Sequence, residues 1–301
     1  MQDKFIVNVC LTGTLPTKQM NQHVPMTPEE IAEDVKACIE LGASMFHVHA
    51  RDERQNPTWE KDVYENVFKA IRRVSEDVVI CASTSGRRVS EIEKRTACLD
   101  TNPQPDMASL TIGSLNFMTE GMLNTPQMIL AILQAMHKRG IKPEIEIFDV
   151  GMARTAARLI ADGILRPPYY VNILLGNIAT ADASLLDLAT ILQHLPKEVI
   201  WCAAGIGKTQ LKANTLGILF GNGVRVGLED NLYLDNNKTP STNAALVERV
   251  VKIGRLLGKS PSSIPETREC LGVKSSGSGL DGLLPKPAVC PSTGSGRPVV
   301  S

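Results

Sequence analysis

The sequence predicts a single α/β domain, a closed (β/α)8 barrel of the TIM type, and three observations lead there. Short β-rich apolar runs alternate with amphipathic stretches of helical length, and the alternation repeats eight times. The first run ends in Leu11-Thr12-Gly13-Thr14, without the glycine-rich phosphate turn usual in a doubly wound open sheet. At 301 residues the chain exceeds a typical domain, but barrels of this class routinely reach that size undivided.

Each unit reads as strand then helix. "FIVNVCLTG" precedes "TPEEIAEDVKACIELG", "SMFHVHARD" precedes "WEKDVYENVFKAIRRV", and "VVICASTS" precedes "EIEKRTACL". "MASLTIGS" is followed by "TPQMILAILQAMHKRG", "EIEIFDVG" by "ARTAARLIADG", and "YYVNILLG" by "DASLLDLATILQHL". "VIWCAAGIG" with "QLKANTLGILFG", then "VRVGLED" with "NAALVERVVKIGRLLG", complete eight units. Local punctuation agrees. Thr27-Pro28-Glu29-Glu30 supplies an N-cap, a proline at the first helical position and a capping-box acid, and Gly42, Gly140 and Gly163 stand where helices should stop. The barrel is expected over residues 1–273. The remainder, 274–301, reads "KSSGSGLDGLLPKPAVCPSTGSGRPVVS" and is expected to be a disordered tail without catalytic residues.

Composition narrows the function classes. Basic and acidic residues balance at 32 each, so no net field attracts nucleic acid or an anionic membrane, and charge recognition must be local. The seven cysteines are scattered, odd in number and never spaced C-x-x-C, a pattern of buried thiols in a reducing compartment. No signal-like segment and no apolar run of about 20 residues is present, so a soluble cytoplasmic protein is expected.

The chemistry begins in "FHVHARD". Residues i and i+2 share a strand face, so His47 and His49 project together, and inside a barrel two imidazoles suit a divalent metal such as zinc. The alternative is a pair of hydrogen-bonded core histidines; paired spacing at a barrel strand end favours the metal. Of the other histidines, His137 and His194 fall on helices and His23 in a loop, so the third ligand should be a carboxylate. Glu229 is the best placed, with Asp230 beside it at the end of the eighth strand, though either also fits a solvated strand end. Arg225 on that strand and Glu144 and Glu146 on the fifth look like buried charges, which are costly unless paired; Arg225 suits Glu146 and Asp230. Thr14, Ser83 and Ser109 are candidate substrate contacts. Gly205 and Gly207 in "AGIGK" form either a phosphate-binding turn or merely a tight one.

Taken in order, "MTPEE", "FHVHARD", "ASTSG", "ASLTIGSLNF", "PEIEIFDVGM", "AGIGKTQ" and "VRVGLEDNLYL" resemble the β-keto acid cleavage enzyme family over roughly residues 5–272. The resemblance implies a zinc-dependent barrel, a homotetramer, in which a β-keto acid and acetyl-CoA give acetoacetate and a new acyl-CoA. It assigns His47, His49 and Glu229 to the metal and Ser83 and Ser109 to the substrate. Asp230 becomes the general base, oriented by Arg225 and Glu146. Where members acting on an aminated substrate carry a glutamate, this chain has Leu15; Lys18 and Arg87 suggest a neutral or anionic distal group, and equally fit solvated loop charges or contacts to CoA phosphates. Two rival functions fit the chain less well. A metal-dependent barrel hydrolase expects its H-x-H on the first strand and further histidines on the fifth and sixth, which are lacking. A catalytically silent scaffold expects a missing ligand or base, and all are present.

Overall fold

In the computed structural model, which describes residues 3–235 and 239–274, eight parallel strands close on themselves. They are β1 (Lys4–Cys10), β2 (Met45–Val48), β3 (Val79–Ala82), β4 (Met107–Thr111), β5 (Lys142–Ile147), β6 (Tyr170–Leu175), β7 (Ile200–Gly205) and β8 (Gly223–Val226). Each pairs with its neighbours in sequence, and β8 returns to β1 with Asn8 opposite Arg225. The expected single-domain barrel is therefore the observed fold.

Helices α1 (Pro28–Glu40), α2 (Lys61–Val74), α3 (Ile92–Thr96), α4 (Pro126–Arg139), α5 (Val150–Ala161), α6 (Leu185–Gln193), α7 (Gln210–Phe220) and α8 (Asn243–Leu256) follow the successive strands. Their starts follow local chemistry. The Thr27 hydroxyl accepts from Glu30 N while Glu30 accepts from Thr27 N, so the capping box satisfies two amides that the helix cannot. In α2 the buried residues Tyr64, Val67, Phe68 and Ile71 recur at helical spacing, giving one apolar face to lay on the sheet. Gly140 and Gly163 adopt the left-handed conformation that ends α4 and follows α5.

Strand periodicity divides the core in two. Phe5, Val7 and Val9, with Phe46, Val48, Ile80, Leu110, Ile145 and Ile147, belong to the large cluster between sheet and helices. The alternate positions Ile6, Met45, Val79, Met107, Tyr170 and Cys202 form a separate apolar cluster within the barrel, near the strands' N-terminal ends. An additional helix, α9 (Ile264–Leu271), adds Leu271 to that inner cluster. Around it Thr267 meets Ser44, and Arg268 donates to Asp106 Oδ1 (2.8 Å), beside the starts of β2 and β4. The eight-unit periodicity does not signal this closure.

Three boundaries differ from the sequence reading. The third helix is short and tightens into a 3-10 turn over Ala97–Asp100; buried Arg95 donates to Thr84 O (2.9 Å), tying it back to the barrel. β2 stops at Val48, so His49 lies just beyond it, and β8 stops at Val226, so Glu229 and Asp230 belong to the following turn. Gly227 breaks β8: its φ is 153°, and a Cβ there would lie 2.1 Å from Cys10 O. Among the described residues, six cysteines are free and no helix is long and apolar enough to cross a membrane. Of the expected disordered tail, residues 275–301 lie outside the described residues.

Candidate active site

At the C-terminal ends of the strands a cavity of about 440 Å³ opens, lined at its base by His47, His49, Glu146, Arg225, Glu229 and Asp230. The position is the one at which barrels of this class carry their chemistry.

His47 and His49 converge, with Nε2 atoms 3.3 Å apart, and Glu229 Oε1 lies 3.3 Å from His49 Nε2 and 3.9 Å from His47 Nε2. Ligands about 2.0–2.2 Å from a tetrahedral ion stand roughly 3.3–3.6 Å from one another, so two of these spacings suit one small divalent cation and the third, at 3.9 Å, is slightly wide of it. Glu229 Oε2 is buried without a hydrogen-bond partner, an orphaned acceptor that a cation would satisfy. The turn after β1 makes room: Gly13 is left-handed (φ 67°), and a Cβ on it would strike Glu229 Cγ at 2.5 Å.

Beneath the histidines Glu144, fully buried, fixes His47. His47 Nδ1 lies 2.6 Å from Glu144 Oε2, which leaves Nε2 with its lone pair toward Glu229. Asn8 and Asn172 donate to Glu144 Oε1 at 2.7 and 2.6 Å, and the Cys81 thiol lies 3.1 Å from Oε2. Burial pushes the Glu144 carboxyl up, but His47 and Arg225 outweigh it and hold it down at about 2. His47, Cys81 and Glu144 are also close enough to form a metal-binding group, but Glu144 already accepts from four donors, so the upper trio fits an ion better.

Arg225, 2% exposed, organises the other side. Its Nε donates to Asp230 Oδ2 (3.0 Å), Nη1 to Glu146 Oε1 (2.8 Å) and Nη2 to Glu229 Oε1 (2.7 Å). Thr111 donates to the second oxygen of Glu146 at 2.6 Å, and the Cys10 thiol lies 3.1 Å from Asp230 Oδ2. Burial raises the Asp230 carboxyl above its ordinary value despite Arg225, with Glu229 adding to the rise. An anion flanked by a fixed guanidinium and poised above the usual carboxylate range is suited to proton transfer.

The other sequence candidates separate. Thr14 and Ser83 line the cavity, Thr14 Oγ1 lying 3.4 Å from His49 Nδ1. Ser109 does not: its hydroxyl accepts from Thr84 N at 3.1 Å, and Thr111, two residues further along β4, occupies the cavity wall. Neither Gly205 nor Gly207 lines it. A Cβ on Gly205 would lie 2.5 Å from Gln210 Cα, so that glycine admits α7 against β7, and Gly207 spends its amide on Asp230 O (2.6 Å). Lys18 pairs with Glu30 at 2.8 Å away from the cavity, whereas Arg87 and Leu15 line it. His137 and His194 lie on α4 and at the end of α6, as their spacing predicts. Asn8, Asn172 and Thr111 escaped the sequence reading, and so did the role of Glu144. Their one signal is a polar residue at alternate positions of an apolar strand, as in "FIVNVC" and "YYVNIL".

Residues 4–273 match the beta-keto acid cleavage enzyme family. The chain is 35% identical to 3-keto-5-aminohexanoate cleavage enzyme of Fusobacterium nucleatum, over 91% of this chain and 100% of that protein. It is 33% identical to 3-oxoadipate:acetyl-CoA acetyltransferase of Cupriavidus necator, over 91% and 97%. Among solved structures, apo ObcA superposes with a TM-score of 0.73 at 20% identity; the match covers 83% of this chain and 66% of that one, and it speaks to the fold alone.

Proposed function

This chain belongs to the beta-keto acid cleavage enzyme family, and we propose that it transfers the acyl part of a 3-oxo acid to coenzyme A, with acetyl-CoA as cosubstrate and acetoacetate as the second product. One observation carries the reading: a buried base, its orienting arginine and a convergent His-His-Glu trio open onto the same cavity.

His47, His49 and Glu229 would hold zinc, which supplies Lewis-acid stabilisation of the negative charge that develops on the substrate's keto and carboxylate oxygens. Asp230 removes a proton from C2 of the 3-oxo acid. C2 then attacks the acetyl carbonyl, forming a carbon–carbon bond and releasing CoA thiolate. The thiolate adds to the original keto carbon, C3, and the C2–C3 bond breaks. The acyl group leaves on sulfur, and C2 of the nascent acetoacetate recovers its proton from Asp230. Atoms balance: R–CO–CH2–COO⁻ and acetyl-CoA become acetoacetate and R–CO–CoA. Arg225 keeps Asp230 directed at the cavity, Glu146 and Thr111 hold Arg225, and Ser83 and Thr14 offer hydroxyls to substrate oxygens. By family membership we expect a homotetramer located in the cytoplasm.

The test is to incubate purified protein with acetyl-CoA and a panel of 3-oxo acids while measuring acetoacetate, alongside elemental analysis. Stoichiometric zinc and acetoacetate formation are expected, and Glu229→Gln should lower metal content. Zinc with no acetoacetate from any substrate, but turnover of esters or lactones, would sink the reading.

A further inference from the structure

The cavity has a second charged pole. Above the base its wall is mostly apolar, with Leu15, Phe117, Met122, Phe148, Leu174 and Ile206 beside the polar Ser85 and Asn177, and into this wall is set Arg87. Its guanidinium carbon sits 3.7 Å over the Phe117 ring, which holds the plane, and its Nε lies 2.6 Å from Glu120 Oε1, an ion pair without hydrogen-bond geometry. Among the described residues the guanidinium makes no hydrogen bond to protein, neither from Nε nor from the terminal Nη1 and Nη2. That end is the planar two-donor fork that matches a carboxylate.

Charge points the same way. Glu120 is shared: Arg88 Nε reaches its other oxygen at 3.0 Å, so two guanidiniums face one carboxylate and one positive charge remains. The three acids lining the base all pair with Arg225, the one unpaired oxygen among them, Glu229 Oε2, belongs to the metal-binding trio, and Leu15 in the wall offers no charge. A cationic tail would thus lack a free partner. An apolar tail would strip water from the Arg87 side chain, only 13% exposed, and leave its fork unpaired.

Building on the reaction proposed above, we propose that Arg87 is a specificity-determining residue that receives a distal carboxylate, and that the substrate is a short 3-oxo dicarboxylate. Its keto-acid head lies at the His47–His49–Glu229 base, and its far carboxylate ends on the Arg87 fork. A phosphate of coenzyme A shares the anionic chemistry and is the competing source.

The experiment compares 3-oxoadipate, 3-oxohexanoate and 3-keto-5-aminohexanoate as cosubstrates of acetyl-CoA, with wild type, Arg87→Gln and Arg87→Lys. A charge-assisted contact predicts a kcat/KM for 3-oxoadipate on the order of 10- to 100-fold above that for 3-oxohexanoate. Arg87→Gln should erase that preference while keeping turnover of 3-oxohexanoate, which also shows that the variant folds; Arg87→Lys should restore part of it. Wild-type preference for the neutral or aminated acid, or a preference untouched in Arg87→Gln, overturns the assignment and leaves the reaction standing. An Arg87→Gln defect confined to the KM for acetyl-CoA, equal for all three acids, also overturns it and gives Arg87 to the CoA phosphate. Absence of acetoacetate from every acid is the separate failure of the reaction itself.

Discussion

The two ends of the barrel interior are built from the same strands and obey opposite rules. At the N-terminal end, Ile6, Met45, Val79, Met107 and Leu271 exclude water with apolar surface and make no directional demand beyond fit. At the C-terminal end, Glu146, Arg225 and Asp230 are nearly as buried, yet every one is charged and held by named partners. The apolar floor gains stability from burial. The upper end incurs a large desolvation cost that its ion pairs and hydrogen bonds offset, in exchange for groups fixed in orientation. Floor residues should therefore set stability and the upper residues turnover, with Arg225, the cation shared by three acids, acting on both.

The largest effect is expected at the residue that joins both roles, in Arg225→Leu, which leaves Glu146, Glu229 and Asp230 buried beside one another without their cation. A loss of about 3–5 kcal/mol in denaturant unfolding is expected, together with loss of acetoacetate formation. Asp230→Asn keeps the shape and two of the three Arg225 contacts. Turnover should fall by roughly 10²–10⁴-fold, while metal content and unfolding midpoint stay near wild type. If that variant kept full activity, the base would lie elsewhere.

Met45→Ala probes the floor. It should cost about 2–3 kcal/mol through the cavity it leaves, with kcat per folded molecule unchanged; a fall in kcat with intact stability would erase the distinction between the ends. Smallest is Thr27→Ala, which removes the side-chain cap of α1 remote from either end. A loss of about 1 kcal/mol in unfolding free energy and no change in kinetics are expected.

Much of the upper end was legible along the chain. The i, i+2 spacing brings His47 and His49 together, and the cost of burying charge matches Arg225 with Glu146, both readable from the chain alone. What escaped depended on neighbours distant in sequence. Glu144 reaches His47 across 97 residues, and the two asparagines that fix it come from β1 and β6. Ser109 and Thr111 share one face of β4, and nothing local tells which reaches the cavity; Thr111 stands opposite Glu146 in the strand register, and Ser109 opposite Glu144. Gly205 and Gly207 read as a phosphate turn, but the first admits a close helix approach and the second only a left-handed backbone with open space around it, a difference the spacing does not carry.

By itself, then, the sequence determined the alternation of strand and helix, the capping of α1 and which strand residues face inward, because these follow from periods of 2 and 3.6 and from groups a few residues apart. Only the tertiary structure decided which inward residues meet. Barrel closure sets β8 against β1, and the turn beginning at Gly227 swings Glu229 and Asp230 over the opening. Strand register and turn geometry are cooperative properties of the whole sheet, and so the partners of Arg225, His47 and Arg87 exist only once the barrel has closed.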